Sequence, residues 1–170
     1  AFDKSGNVRA SAYREWTYNR IDSGRNVVEF DATKFWGVLC DVIGQTLAQI
    51  PEGPGSIRGI STTCMREGFV LLDRSGHELY AAPSFDERGR SYNDALAAKE
   101  GDAIFEDTGH WPAALHAPGR ILEMQDREPE RWSKATHLLM IGDWMVYRLT
   151  GELVGEPSNL CSTLLLNAKE

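Results

Sequence analysis

An α/β fold is predicted for this chain by three observations. Short apolar runs bounded by turn residues, such as "FVLL" between Gly68 and Asp73, have the length and composition of buried strands. Other segments repeat apolar residues at three- and four-residue steps, the period of an amphipathic helix. The order along the chain is strands first, then helices interleaved with strands, which is the α/β pattern.

The opening "AFDKSGNVRASAYREW" predicts a hairpin around a Lys-Ser-Gly-Asn turn, because Val8, Ala10, Ala12 and Trp16 alternate with Arg9, Ser11, Tyr13 and Glu15. Asp31 then stands as an N-cap before Phe35, Leu39, Val42, Ile43, Leu47 and Ile50, an amphipathic helix stopped by Pro51 and "GPG". "SIRGIST" and "GFVLLD" read as strands, and the turn "DRSG" leads from the second into a third, "HELYAA". In "SYNDALAAKEGDAIFEDTG" helix formers predict a helix with Gly101 and Gly109 as stops. A further helix is predicted near residues 117–127, interrupted by Pro129, with a short turn containing Trp132. "THLLMI" reads as a buried strand and "GDWMVYRLTG" as a short helix ended by Gly151. No repeat, low-complexity tract or linker divides the chain, so one domain over residues 1–170 is expected.

Composition bounds the function. The 170 residues are 42% hydrophobic and 25% charged, the range of a globular domain with a real core. A net charge of −7 without a basic stripe argues against nucleic acid and anionic membranes as partners. Cys40, Cys64 and Cys161 are odd in number and widely spaced, which predicts neither a disulfide framework nor a zinc cluster and points to a reducing cytoplasm. No apolar run has the roughly 18 residues of a membrane span, and no signal-peptide pattern opens the chain.

Several chemical motifs fail on context. Gly53, Gly55 and Gly59 follow a predicted helix and lead into a predicted strand, the reverse of a dinucleotide fingerprint, and no GxxxxGK[ST] occurs. His77, His110, His116 and His137 include no HExxH, and no third ligand accompanies His110 and His116. Cys64 has no neighbouring base to make it a nucleophile. What stands out is charge placed directly after apolar segments: Arg66-Glu67 in "TTCMREG", and Asp86 and Arg88 in "SFDERGR". An isolated charge is costly inside a protein, so such residues need a partner, a cleft or the surface. Strand ends of α/β sheets are where ligands sit, and forked Arg donors beside carboxylate acceptors suit a ligand of many hydroxyls. Spacing alone leaves surface ion pairs equally open.

Five stretches, "AFDKSGNV", "GISTTCMREGFVLLDRSG", "SFDERGR", "TGHWPAALHAPGRILEMQDREPERW" and "LLMIGDWMVYRLTGELVGEPSNLCSTLLLN", together resemble the N-terminal domain of the FGGY carbohydrate kinases over nearly the whole chain. Within that family Arg66-Glu67 is similar to autoinducer-2 and glycerol kinases, whereas xylulose kinases carry Met-His there. The resemblance implies an actin-like ATPase fold of the ribonuclease H type, with a mixed sheet flanked by helices. It implies a kinase that moves the γ-phosphate of ATP, with Mg2+, to a sugar hydroxyl. By the same resemblance Met65, Arg66 and Glu67 bind the sugar, Asp86 is a second contact, and His116 and Arg120 border a region that closes over substrate. Ser84 stands where the family has an aromatic, which departs from sugar stacking. The family's Asp-x-Gly-Thr phosphate turn and first strand would fall before Ala1, and its catalytic Asp and second domain after Glu170. No catalytic residue is therefore expected in this segment, and alone it is expected to be inactive. The alternative is a non-catalytic sugar-binding or regulatory protein of the same fold; a homodimer is left open.

Overall fold

The computed structural model describes residues 1–169, which form two compact units; Glu170 lies outside the described residues. One unit comprises residues 1–17 and 31–61. Its main element is helix α1, Ala32–Leu47, capped as expected by Asp31, whose carboxylate accepts from the Lys34 N–H at 2.9 Å. Only Ala32 of α1 is buried, and its apolar stripe is half-covered. Trp16 packs on Phe35 with ring centroids 4.1 Å apart. The predicted N-terminal hairpin shrinks to a single bridge, Phe2 to Val8, over a tight turn in which Gly6 takes φ +83° and the Asp3 carboxylate accepts from Ser5 and Asn7 N–H groups. The predicted strand at 56–62 does not form. The stretch "SIRGIST" is not buried as a strand would be, since Arg58, Gly59, Ile60 and Ser61 are exposed and no ladder among the described residues pairs them.

The second unit, residues 18–30 and from 62 onward, holds two antiparallel sheets among its described residues. Strands β1 (Asn19–Asp22) and β2 (Val27–Glu29) form a hairpin that hydrophobic patterning does not reveal, because β1 is polar and mostly exposed. The larger sheet has the order β4-β3-β5, with β3 at Phe69–Leu72, β4 at Glu78–Ala82 and β5 at His137–Met140. All four β3 residues are buried, as expected of a central strand covered on both faces. Among the described residues every pairing in both sheets is antiparallel, rather than the mixed pattern expected.

Helix α2, Arg90–Thr108, runs through Gly101, where a stop was expected, and ends at Gly109 with φ +74°. Gly101 is there for packing: a Cβ would lie 2.5 Å from the Trp111 ring. Helix α3 (Ala117–Arg127), the short α4 (Pro129–Trp132) and α5 (Ile141–Thr150, closed by Gly151) follow the sequence closely, and α6 (Pro157–Leu160) comes last. Phe69, Leu71, Tyr80, Ala82, Ala117, Met124 and Met140 make the core, in which α3 lies against the sheet. No helix among the described residues is long and apolar enough to cross a membrane.

Candidate functional site

Antiparallel register brings three chain segments to one end of the larger sheet. Phe69, the first residue of β3, pairs with Ala82, the last of β4, and with Met140, the last of β5. The loops 65–68 and 83–88 and the first turn of α5, residues 141–143, therefore meet there. Glu67 occupies left-handed backbone, φ +63°, which costs a non-glycine residue roughly 1–2 kcal/mol and marks a position held by its surroundings. Arg120 is what holds it. This fully buried guanidinium lies 4.4 Å from the centre of the Phe69 ring. It donates to the carbonyls of Glu67, of Leu115 at 2.6 Å and of Pro83 at 3.2 Å, one in each of three segments.

Close helix packing delivers Arg120 to that place. A Cβ on Gly89 would lie 2.2 Å from the Arg120 nitrogen, and one on Gly119 would lie 2.4 Å from the Gly89 carbonyl, so the starts of α2 and α3 touch through backbone. Buried Asn93 locks the crossing by donating to the Ala113 and His116 carbonyls and accepting from the Gly119 N–H.

The residues singled out in the sequence divide into three kinds. Arg66 is exposed, lines a cavity of about 360 Å³, and has no hydrogen-bond partner among the described residues. Glu67 is only 4% exposed, and its Oε2 is buried without a hydrogen-bond partner. Burial pushes its carboxyl up, against the Ser162 hydroxyl and the charges of Arg120, Arg66 and His110. Met65 lies over Ser84, its sulfur 3.4 Å from the Ser84 N–H. His116 is buried, and its Nδ1 accepts from the Ala113 N–H at 3.0 Å. Burial with nearby His110 and Arg120 pulls its pKa down to about 4, so the ring is neutral at pH 7 with its proton on Nε2.

Asp86 is different. It is fully buried and accepts from the Val28 N–H at 3.1 Å, the Tyr80 hydroxyl at 2.7 Å and the Arg88 Nε at 2.7 Å. Its acceptor capacity is filled by protein, and it does not line the cavity. Arg88 extends the same network to Glu29 at 2.6 Å and Glu128 at 3.1 Å. The expectation that Asp86 contacts sugar therefore gives way to a structural role, because no face of its carboxylate is left for a ligand.

The cavity's other walls are residues that charge spacing did not single out: Thr62, Thr63, Gly142, Asp143, Glu156 and Asn159. Asp143 is 4% exposed; its Oδ1 accepts from the Glu156 N–H at 3.1 Å, and its Oδ2 is buried and unpartnered, as is Asn159 Oδ1. Burial and the Glu156 carboxylate both push the Asp143 carboxyl up. The signal was present in the sequence, since Asp143 follows an apolar strand just as Arg66 and Glu67 precede one. Cys64 also lines the cavity; burial pushes its thiol up, against the Gly142 N–H from which its sulfur accepts at 3.1 Å, and the net upward shift is the opposite of an activated nucleophile.

The cavity walls suit recognition of hydroxyls: forked donors on Arg66, oxygens on Asp143, Glu156 and Asn159, and hydroxyls on Thr62 and Thr63; of the sequence-predicted residues only Arg66 is among these walls, and Met65, Glu67 and His116 lie outside them. The described residues do not suit ATP or Mg2+. Gly53, Gly55 and Gly59 precede no helix that would receive phosphate, and no three His, Cys, Asp or Glu residues are grouped as metal ligands.

Comparison with known proteins agrees with the fold. Residues 1–170 match the model of the FGGY family of carbohydrate kinases, N-terminal domain. The autoinducer-2 kinase of Photorhabdus laumondii is 34% identical over 172 residues, covering 98% of this chain and 32% of that protein. This chain thus spans about a third of the length of such relatives. Among solved structures, ligand-bound xylulose kinase from Lactobacillus acidophilus superimposes with a TM-score of 0.88 at 20% identity, over 99% of this chain and 34% of that one. Plasmodium falciparum glycerol kinase with ADP gives 0.75 at 21%, over 91% and 32%. The fold is that of these sugar kinases, the actin-like ATPase fold.

Proposed function

Because the chain belongs to the FGGY family of carbohydrate kinases, we propose that the whole protein is an ATP-dependent carbohydrate kinase to which these residues supply the sugar-binding face. The observation that carries the reading is the arrangement at Arg66 and Glu67. An unpartnered guanidinium and a buried, unpartnered carboxyl oxygen stand side by side at the sheet end, on a backbone held in a costly conformation. Arg66 donates to two oxygens of a sugar, Glu67 accepts from a hydroxyl, and Met65 supplies an apolar edge. Buried Arg120 keeps the Glu67 loop in place from behind.

Mg·ATP, held by residues outside those described, would supply the phosphoryl group for a sugar hydroxyl. The part played by this chain is to fix that hydroxyl and to limit its motion, which accelerates reaction through positioning. Relatives named autoinducer-2 kinase share the family; the sugar taken by this protein belongs to the class of small polyhydroxylated compounds. A cytoplasmic location is part of the proposal, supported by three cysteines that are all free.

Steady-state kinetics of the full protein with ATP and a sugar panel test the reading. Arg66→Ala and Glu67→Gln are each expected to raise KM by roughly 10- to 100-fold, the loss of one charge-assisted hydrogen bond worth about 1.5–3 kcal/mol. Unchanged KM and kcat on every accepted sugar would remove these residues from the site, and absence of turnover on any sugar would remove the kinase assignment.

A further inference from the structure

Resting on the reading of Arg66 and Glu67 as sugar contacts, we infer that Asp143 and Asn159 form a second subsite that takes the far hydroxyls of an uncharged polyhydroxylated substrate. The argument begins with unfilled acceptors. Asp143 Oδ2 and Asn159 Oδ1 are buried and have no hydrogen-bond partner, and both residues line the cavity that Arg66 also lines. A buried acceptor without a donor is destabilising, and a ligand hydroxyl relieves it. Asp143 Oδ1 is already fixed by the Glu156 N–H, which leaves Oδ2 as the carboxylate oxygen without a partner.

The wall is built without help from a ligand. The Glu156 carboxylate caps α6, accepting from the Ser158 and Asn159 N–H groups and from the Ser158 hydroxyl. The Thr62 hydroxyl donates to the Gly142 carbonyl at 3.2 Å, so it too presents lone pairs. Gly142 keeps the cavity open, because a Cβ there would lie 3.2 Å from the Cys64 sulfur and 3.6 Å from the Thr62 hydroxyl. About 360 Å³ is enough for a small molecule, at the lower end of the roughly 300–1,000 Å³ of such sites.

Charge selects the ligand class. Asp143 and Glu156 repel a phosphate or carboxylate, while Arg66 in the same cavity opposes an ammonium or a metal ion. A hydroxyl both donates and accepts, so it satisfies Asp143 and Asn159 on one side and Arg66 on the other. On this inference a short polyol held at Arg66 leaves the Asp143 and Asn159 acceptors unfilled, whereas a longer one supplies the further hydroxyls that fill them. The subsite thus sets preference for substrate length and against an anionic end.

The test uses the full protein and a series of glycerol, erythritol and xylitol, with D-xylulose and D-xylulose 5-phosphate as neutral and anionic sugars. Binding is measured by calorimetry without nucleotide, and turnover is measured with Mg·ATP. Wild type is expected to bind xylitol more tightly than glycerol and to discriminate against the 5-phosphate. Asp143→Asn and the near-isosteric Asn159→Leu are expected to weaken xylitol binding at least tenfold while changing glycerol binding less than twofold. Should Asp143→Asn fail to fold by circular dichroism, Asn159→Leu decides. A length preference that survives in the folded variants overturns the subsite, and so does a wild type that binds no member of the series. Turnover with an intact length preference leaves the kinase reading standing and removes only this subsite. Asp143-dependent xylitol binding with no turnover of any sugar does the reverse.

Discussion

Asp86 and Glu67 are both buried acids in loops at the same end of one sheet, yet their surroundings are opposite. Asp86 accepts from a backbone N–H, a tyrosine hydroxyl and an arginine, and Arg88 passes the charge on to Glu29 and Glu128. Arg131 closes the network by pairing with Glu29 and Glu128 and donating to the Leu79 carbonyl. At Glu67, and at Asp143 beyond it, buried oxygens end without partners. The comparison teaches how to separate structural from ligand-facing charge. A closed network has every donor matched to an acceptor inside the fold and leaves nothing for a ligand, whereas a binding site keeps buried capacity unfilled at a cost to stability.

The largest effect should come from breaking the closed network. Asp86→Ala leaves the Arg88 side chain, 1% exposed, without its carboxylate partner on the same loop, and should lower unfolding free energy by about 3–5 kcal/mol in urea titration. A loss below about 1 kcal/mol would mean that the network is not what secures this loop.

Next in size is the open region, where the same chemistry should register in function and not in stability. Arg66→Ala should reduce sugar use by roughly 10- to 100-fold while moving unfolding free energy by no more than about 0.5 kcal/mol, since Arg66 is exposed and unpartnered. A large stability loss would place Arg66 with the closed network.

Acid should sharpen the contrast from the His116 side. Its folded pKa of about 4 lies below its ordinary 6.5, so the unfolded chain takes up the proton first. The stability this ring contributes is complete above pH 6.5 and is lost as pH falls toward 4, at up to about 1.4 kcal/mol per pH unit. Urea midpoints at pH 7 and pH 5 for wild type and His116→Gln measure it, and equal pH slopes would show that the imidazole is not held neutral. Glu67 acts in the opposite sense. Its raised pKa favours the folded state below the ordinary glutamate value of 4.5, and that advantage is lost as pH rises through the higher folded value.

The smallest effect is expected from Arg14→Ala. Its partner Asp41 lies 3.2 Å away, but both side chains are about half exposed, so the pair is worth about 0–1 kcal/mol. A larger loss would show that surface pairs in this protein matter more than exposure implies.

Much of the fold was legible wherever local chemistry decides it. The Asp31 cap, Pro129 between two helices and the glycines at 109 and 151 act through the backbone within a few residues, and each boundary fell close to its expected place. Pairing was less legible. β1 is polar and still pairs, whereas residues 56–62, with Ile57 and Ile60, do not, because a strand needs a neighbour and no pattern along one segment supplies it. Gly101 misled in the same way: a local stop was overridden by a distant indole that needs the room.

By itself, then, the sequence determined the α/β class, most helix ends, the family, and the presence of costly charge at 66 and 67. It did so because propensities, caps and motif order are properties of neighbouring residues. Only the tertiary structure decided which charges remain unsatisfied. Asp86 and Glu67 look alike in sequence, and Asp143 looks like part of a helix. What separates them is that Tyr80, Arg88 and Val28 all donate to the first, while Glu67 Oε2 and Asp143 Oδ2 are left without a hydrogen-bond partner among the described residues. Whether a buried charge is paired depends on groups far away in the chain, and only folding brings those together.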